Sequence, residues 1–146
     1  MTPNRILPDL QCSLLCEEIR QEMNGNFILI GVVNFLRVPQ VPITAGRLLF
    51  FNRWTAGFGE FTSTVRLIAP DQTTLLGKCD VRFSLPDPAA QATNVAVFGN
   101  ITFNMAGIYF VEVLVDDVMK VRYPLPLLVA PPSNPNQPPS PPPPPA

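Results

Sequence analysis

Residues 12–32 read CSLLCEEIRQEMNGNFILIGV, and the period assigned to them decides the fold. With helical period, Cys12, Leu15, Cys16, Ile19 and Met23 share one face. With period two, Leu10, Cys12, Leu14 and Cys16 alternate with Gln11, Ser13 and Glu17, although Leu15 breaks the polar side. The tripeptide Asn24-Gly25-Asn26 favours the second reading. Asn-Gly between extended runs is a strong hairpin signal. The next segment, Phe27–Leu36 (FILIGVVNFL), is an apolar run suited to a covered strand, so the segment before the turn is read as a strand too.

That choice removes most of the cysteine chemistry. Four residues along a strand cover roughly 13 Å, whereas a disulfide needs Cα atoms within about 7 Å. Two thiolates sharing a zinc ion must each lie about 2.3 Å from it. Cys79 is the third cysteine and the chain has no histidine. Cys12 and Cys16 are therefore read as small buried apolar residues, and no metal or cofactor is expected.

The rest of the chain repeats the strand pattern. RLLFFNRWT (47–55) and EFTSTVRLIA (60–69) are strands separated by AGFGE. In the second, Phe61, Ser63, Val65 and Leu67 face one side and Thr62, Thr64 and Arg66 the other. A weaker strand over 75–85 is expected to break near Gly77. Gly99 marks a bulge within NVAVFGNITF (94–103). IYFVEVLV (108–115) is the strongest strand; Asp116-Asp117 is a tight turn, and 118–129 returns with Pro124 and Pro126 confining it to an edge. Strands with turns about every ten residues predict an all-β sandwich or barrel.

The chain has 146 residues, and from Pro131 it reads PPSNPNQPPSPPPPPA, with ten of the nineteen prolines. Such a tail has no apolar surface to bury, so 131–146 is expected to be a disordered proline-rich tail and 6–130 the folded domain. The run Pro141, Pro142, Pro143, Pro144, Pro145 suits an aromatic-lined groove, or serves as a spacer. Ten basic and eleven acidic residues, 14% of the chain, give no electrostatic case for nucleic acid or an anionic membrane as partner. No apolar run is long enough to span a bilayer as a helix, and no signal peptide is legible, so the expected location is cytoplasmic.

Without histidine, Ser-His and Cys-His nucleophilic sites are excluded. Glu17-Glu18 are adjacent on a strand and point to opposite faces, and Asp116-Asp117 suits turn geometry. A basic aromatic patch built from Arg47, Arg53, Arg66, Arg82 and Trp54 is a weaker reading than arginines paired with acids on neighbouring strands. Two functions remain. One is a non-enzymatic binding or structural module acting in a protein assembly. The other is a carbohydrate- or small-ligand-binding sandwich that uses Trp54, Phe58 and Phe61 beside AGFGEF; their competing reading is ordinary core.

AGIYFVEVLVDD resembles the F-strand pattern of immunoglobulin-like domains, with Gly107, a corner Tyr109, and Val111 where antibody domains carry a cysteine. The resemblance implies an immunoglobulin-like antiparallel β-sandwich of seven to nine strands, free of disulfides and suited to a reducing compartment. The blocks LCEEIRQEMNGNFILIGVVNFLRVP, RLLFFNRWTAGFGEFTSTVRLIAPD, GIYFVEVLVDD and YPLPLLV resemble, in that order, a family of small uncharacterised bacterial domains of unknown function. That likeness implies a single all-β domain and supplies no site residues.

Overall fold

The computed structural model describes residues 5–130, and they form nine strands with no helix. The strands are β1 (Asp9–Gln21), β2 (Phe27–Val33), β3 (Leu36–Val38), β4 (Ile43–Thr55), β5 (Gly59–Ile68), β6 (Leu75–Leu85), β7 (Gln91–Phe103), β8 (Gly107–Val115) and β9 (Val118–Val129). They build two sheets, ordered β2-β1-β4-β7 and β3-β9-β8-β5-β6. The proline run 141–145 and the rest of 131–146 lie outside the described residues.

The opening segment is a hairpin, as the turn signal requires. Gly25 has φ 95°, its amide donates to the Glu22 carbonyl at 2.9 Å, and the Asn24 side chain accepts from the Asn26 amide at 2.9 Å. The facing of β1 differs from the simple alternation. A register shift between Leu10 and Cys12 puts Leu10 on the core side, and Leu15 follows it there, while Cys16 is buried on the opposite, outer side. The residue that spoiled the polar face is thus the core residue.

The core lies between the sheets. Leu15, Phe50, Trp54 and Phe98 from the first sheet meet Val65, Leu67, Val111 and Val113 from the second. Burial of so many large apolar side chains, each contributing on the order of 1.5–3 kcal/mol, is the main force holding the layers together. Tyr109 is buried and its hydroxyl donates to the Met105 carbonyl at 2.7 Å. Val111, two residues further on, is fully buried.

Five expectations are corrected. The sheets are not wholly antiparallel, because β3 pairs with β9 in parallel. Only a hairpin forces antiparallel pairing, and the chain reaches β3 by crossing between sheets after β2. Phe27–Leu36 is not one covered strand. β2 is an edge strand with Ile28, Ile30 and Val32 exposed, since no strand lies beyond it. β6 runs through Gly77 as one strand, but its ladder with β5 slips beside that glycine: Leu67 pairs with Gly77 and Ile68 with Leu75, so Leu76 of β6 is the extra residue. A Cβ at Gly77 would come within 2.9 Å of Phe98 and Ile101, so packing requires the glycine.

Gly99 inserts no extra residue into the β4–β7 ladder. Instead the buried face switches: Ile43, Ala45, Ile101 and Phe103 pack on the core at one end, and Leu48, Phe50, Ala96 and Phe98 at the other. Gly46, Gly99 and Asn100 (φ 53°) occupy the switch. Finally, β9 is an interior strand at its end, where β3 pairs with Leu127–Val129. Pro124 and Pro126 precede that pairing, so their missing N–H groups remove little from the ladder.

Candidate functional site

The outer faces of the two sheets differ in chemistry. On the second sheet, even-numbered residues of β5 and β6 point outward. Thr62 pairs with Arg82, Thr64 with Asp80 and Arg66 with Lys78. Thr64 Oγ1 donates to Asp80 at 2.6 Å, and Arg66 bridges to Glu112 at 3.0 Å. Arg122 lies 4.2 Å from the centre of the Phe110 ring and 3.9 Å from Glu112.

A groove of about 600 Å³ runs along this face, lined by Arg5, Glu60, Thr62, Arg82, Ser84 and Asp116 among others. A smaller hollow of about 300 Å³ adjoins it, lined by Thr64, Lys78, Asp80 and Asp117 and sharing Thr62 and Asp116 with it. The β8–β9 turn closes the groove. Asp116 and Asp117 have φ of 45° and 67°, the left-handed pair that a two-residue hairpin needs. Asp116 is then stitched to β5: its amide donates to the Thr62 carbonyl at 3.0 Å, and its Oδ1 accepts from the Thr62 amide at 2.9 Å. Its other oxygen accepts from Arg5, which also donates to the Glu60 carbonyl at 2.8 Å and covers the Phe61 ring at 4.7 Å. Burial pushes the Asp116 carboxyl up. The Thr62 amide and the Arg5 guanidinium outweigh that and hold it below the usual carboxylate range.

Arg5 arrives because Ile6 exchanges backbone hydrogen bonds with Phe58, at 3.0 and 2.9 Å. Gly57 permits that approach, since a Cβ there would meet the Pro8 Cα at 2.8 Å. No sequence spacing signals this meeting of residues 5, 62, 82 and 116. The turn propensity of Asp116-Asp117 was the sole legible part.

The aromatics named from the sequence do not form a surface cluster. Trp54 is 0% exposed, stacked at 5.7 Å on Phe83, and Phe61 is buried beside the same ring. Phe58 is half-buried at the N-terminal bridge. Trp54 also finds a polar partner inside: with its amide turned to satisfy both neighbours, Asn94 Oδ1 accepts from Trp54 Nε1 at 3.2 Å. Asn94 belongs to a polar row across the first sheet, Ser13–Asn52–Asn94, in which Ser13 Oγ lies 3.1 Å from the Tyr123 hydroxyl. The four arginines are likewise dispersed. Arg47 and Arg53 stand on β4, Arg66 and Arg82 on the other sheet, and Arg53 covers Phe51 at 5.5 Å.

The outer face of the first sheet carries a second, smaller apolar cluster. Cys16, Leu49 and Phe51 are buried there, apart from the main core, and Phe27 packs edge-on against Phe51 at 5.5 Å. Burial pushes the Cys16 thiol up, with a further push from Cys12, so it is a poor nucleophile. Beyond the covered part, Val97 is 50% exposed, and β2 carries the exposed row Ile28, Ile30 and Val32.

These strands and faces define a two-sheet, all-β domain. The chain belongs to the family of unknown function DUF6941, whose model matches residues 11–128. No curated protein matches it. Among the described residues no helix is long and apolar enough to cross a membrane, and no cluster of three metal-ligating side chains occurs.

Proposed function

We propose that the chain is a non-catalytic module that docks another protein within an assembly, built on an immunoglobulin-like sandwich. The two packed sheets, the Tyr109 corner and buried Val111 support the sandwich reading. Three free cysteines, one of them buried, support a reducing, cytoplasmic setting. The observation that carries the binding role is the set of exposed apolar side chains on the first sheet, Ile28, Ile30 and Val32 on β2 and Val97 on β7. Exposed apolar side chains of this kind are where soluble domains meet partners.

The test is a parallel capture from native lysate with three baits: the full chain, residues 1–130, and the full chain carrying Val97→Glu. A partner kept by the first two and lost by the third supports docking through the apolar face. A partner lost with 131–146 transfers the role to the proline segment. A turnover that disappears on Arg82→Ala overturns the non-catalytic reading.

The groove favours a second reading, a small ligand. With Trp54 and Phe61 buried, it would be held by Arg82, Ser84 and Thr62 through ionic and hydrogen bonds rather than by sugar stacking. Amide shifts confined to β5 and β6 during titration with a panel of glycans and anionic metabolites would support it; an unresponsive groove would remove it.

A further inference from the structure

We propose that a groove at the β2–β3 connection is a docking site for this chain's own proline tract, residues 138–145. The groove has a volume of about 440 Å³ and lies between β1, the end of β2, the connection to β3, and β4. It carries two exposed apolar side chains, Val32 at 54% and Phe35 at 40%. Three side-chain donors stand beside them. Asn34, Arg37 and Arg47 are all exposed, and none is hydrogen-bonded or ion-paired through its side chain to another of the described residues. Arg37 sits over the Phe35 ring at 5.7 Å from its centre. Glu17, the one acid in the lining among the described residues, lies against Gly31, which leaves room for it.

This chemistry suits a proline tract. Proline has no N–H, so a proline run offers ring faces and carbonyl acceptors and no backbone donors. Its counterpart is an aromatic and apolar surface set with donors, the arrangement by which polyproline II segments are held. Residues 138–145 read PPSPPPPP. They are uncharged, and Ser140 supplies their only hydroxyl and their only backbone N–H.

The path of the chain delivers this tract to the groove. β9 finishes beside β3: Val129 pairs with Val38, and the Ala130 amide donates to the Val38 carbonyl at 2.8 Å. Asn34 stands four residues back from Val38, at most about 14 Å away. Because β3 and β9 are parallel, the chain leaves the pair heading away from the groove and must reverse. Residues 133–137, SNPNQ, supply turn formers there, with Asn-Pro at their centre. The eight residues that follow cover roughly 25 Å in polyproline II, at about 3.1 Å each, which exceeds the way back to Asn34. A tether this short sets an effective concentration on the order of millimolar. An intrinsic affinity too weak to retain a free peptide is then enough to fill the groove.

The experiment compares the full chain with a full-length variant in which residues 138–145 are replaced by alternating glycine and serine. NMR signals of Val32, Asn34, Phe35 and Arg37 should differ between the two at every protein concentration, while those of β5 and β6 coincide. A synthetic peptide of residues 131–146, added to the glycine-serine variant, should move the same signals toward their positions in the full chain. The peptide should bind the full chain at least about threefold more weakly, because the tethered tract competes for the groove. Phe35→Ala and Arg37→Gln, each made in the glycine-serine variant, should weaken the peptide by at least about threefold, since each removes one partner of the ring–guanidinium pair. Groove signals that coincide in the two chains overturn the proposal, as does a peptide whose affinity ignores both substitutions. Differences that grow with protein concentration place the tract in the groove of a second copy and overturn the same-chain docking. If a substitution prevents folding, the comparison of the two tails on the unaltered domain still decides.

Discussion

Phe27 and Phe51 touch ring to edge at 5.5 Å, although β-sheet register places them far apart. Phe27 pairs with Gln21 and Phe51 with Leu14, seven residues apart along β1. A straight strand would separate those levels by roughly 23 Å. The β1–β2 hairpin therefore curls back over the outer face of its own sheet, and its tip packs against Phe51. Gly31, in the left-handed region, lies in the bent stretch, with the Glu17 side chain where a Cβ would stand.

Phe27→Ala should release this arm. The expected loss is about 1–3 kcal/mol, from the ring's burial and its edge-on contact. Denaturant midpoints read the loss. Hydrogen exchange should accelerate at β2 and leave β8 nearly unchanged, and uniform acceleration would show that the arm is not a separable unit.

Tyr109→Phe should lower stability by about 1 kcal/mol, since the part-buried hydrogen bond to the Met105 carbonyl is lost. The ring and its edge-on contact with Phe103 at 5.0 Å are kept, so the change isolates the hydroxyl. An unaltered melting curve would show that the corner hydrogen bond does not stabilise the fold.

Asn52→Leu should stabilise the domain. Asn52 is fully buried, and neither atom of its amide has a hydrogen-bond partner among the described residues. Replacing it with an apolar side chain of similar size removes a desolvation cost of roughly 1–3 kcal/mol. A lower unfolding midpoint would show that the amide is satisfied in solution.

Acid stability should depend on Asp71. The Thr74 hydroxyl, then the Thr74 and Thr73 amides, donate to its carboxylate and lower its pKa from 3.8 to about 2. A carboxyl held below its unfolded value stabilises the fold at pH above that value and loses the contribution as pH falls through the folded one. Asp71→Asn should therefore flatten the acid limb of the stability profile between about pH 4 and pH 2. An identical limb in the variant would show that the turn contributes nothing there. Asp116, lowered through Thr62 and Arg5, adds to the same limb with the same sign.

The chain's own pattern determined the strands wherever alternation met a clear turn. The Asn24-Gly25 hairpin, the alternation of Phe61 to Leu67 and the Asp116-Asp117 turn all rest on local φ preferences and on burying one face, and both act within a few residues. Tyr109 was legible because its hydroxyl partner lies only four residues upstream. What only the tertiary structure decided is set by contacts between distant residues. The bulge that sends Leu15 inward, the parallel docking of β3 on β9, the burial of Trp54 and the meeting of Arg5 with Asp116 have no local cause. In each case the free energy comes from surfaces that exist only after the two sheets pack, so no window of sequence contains it.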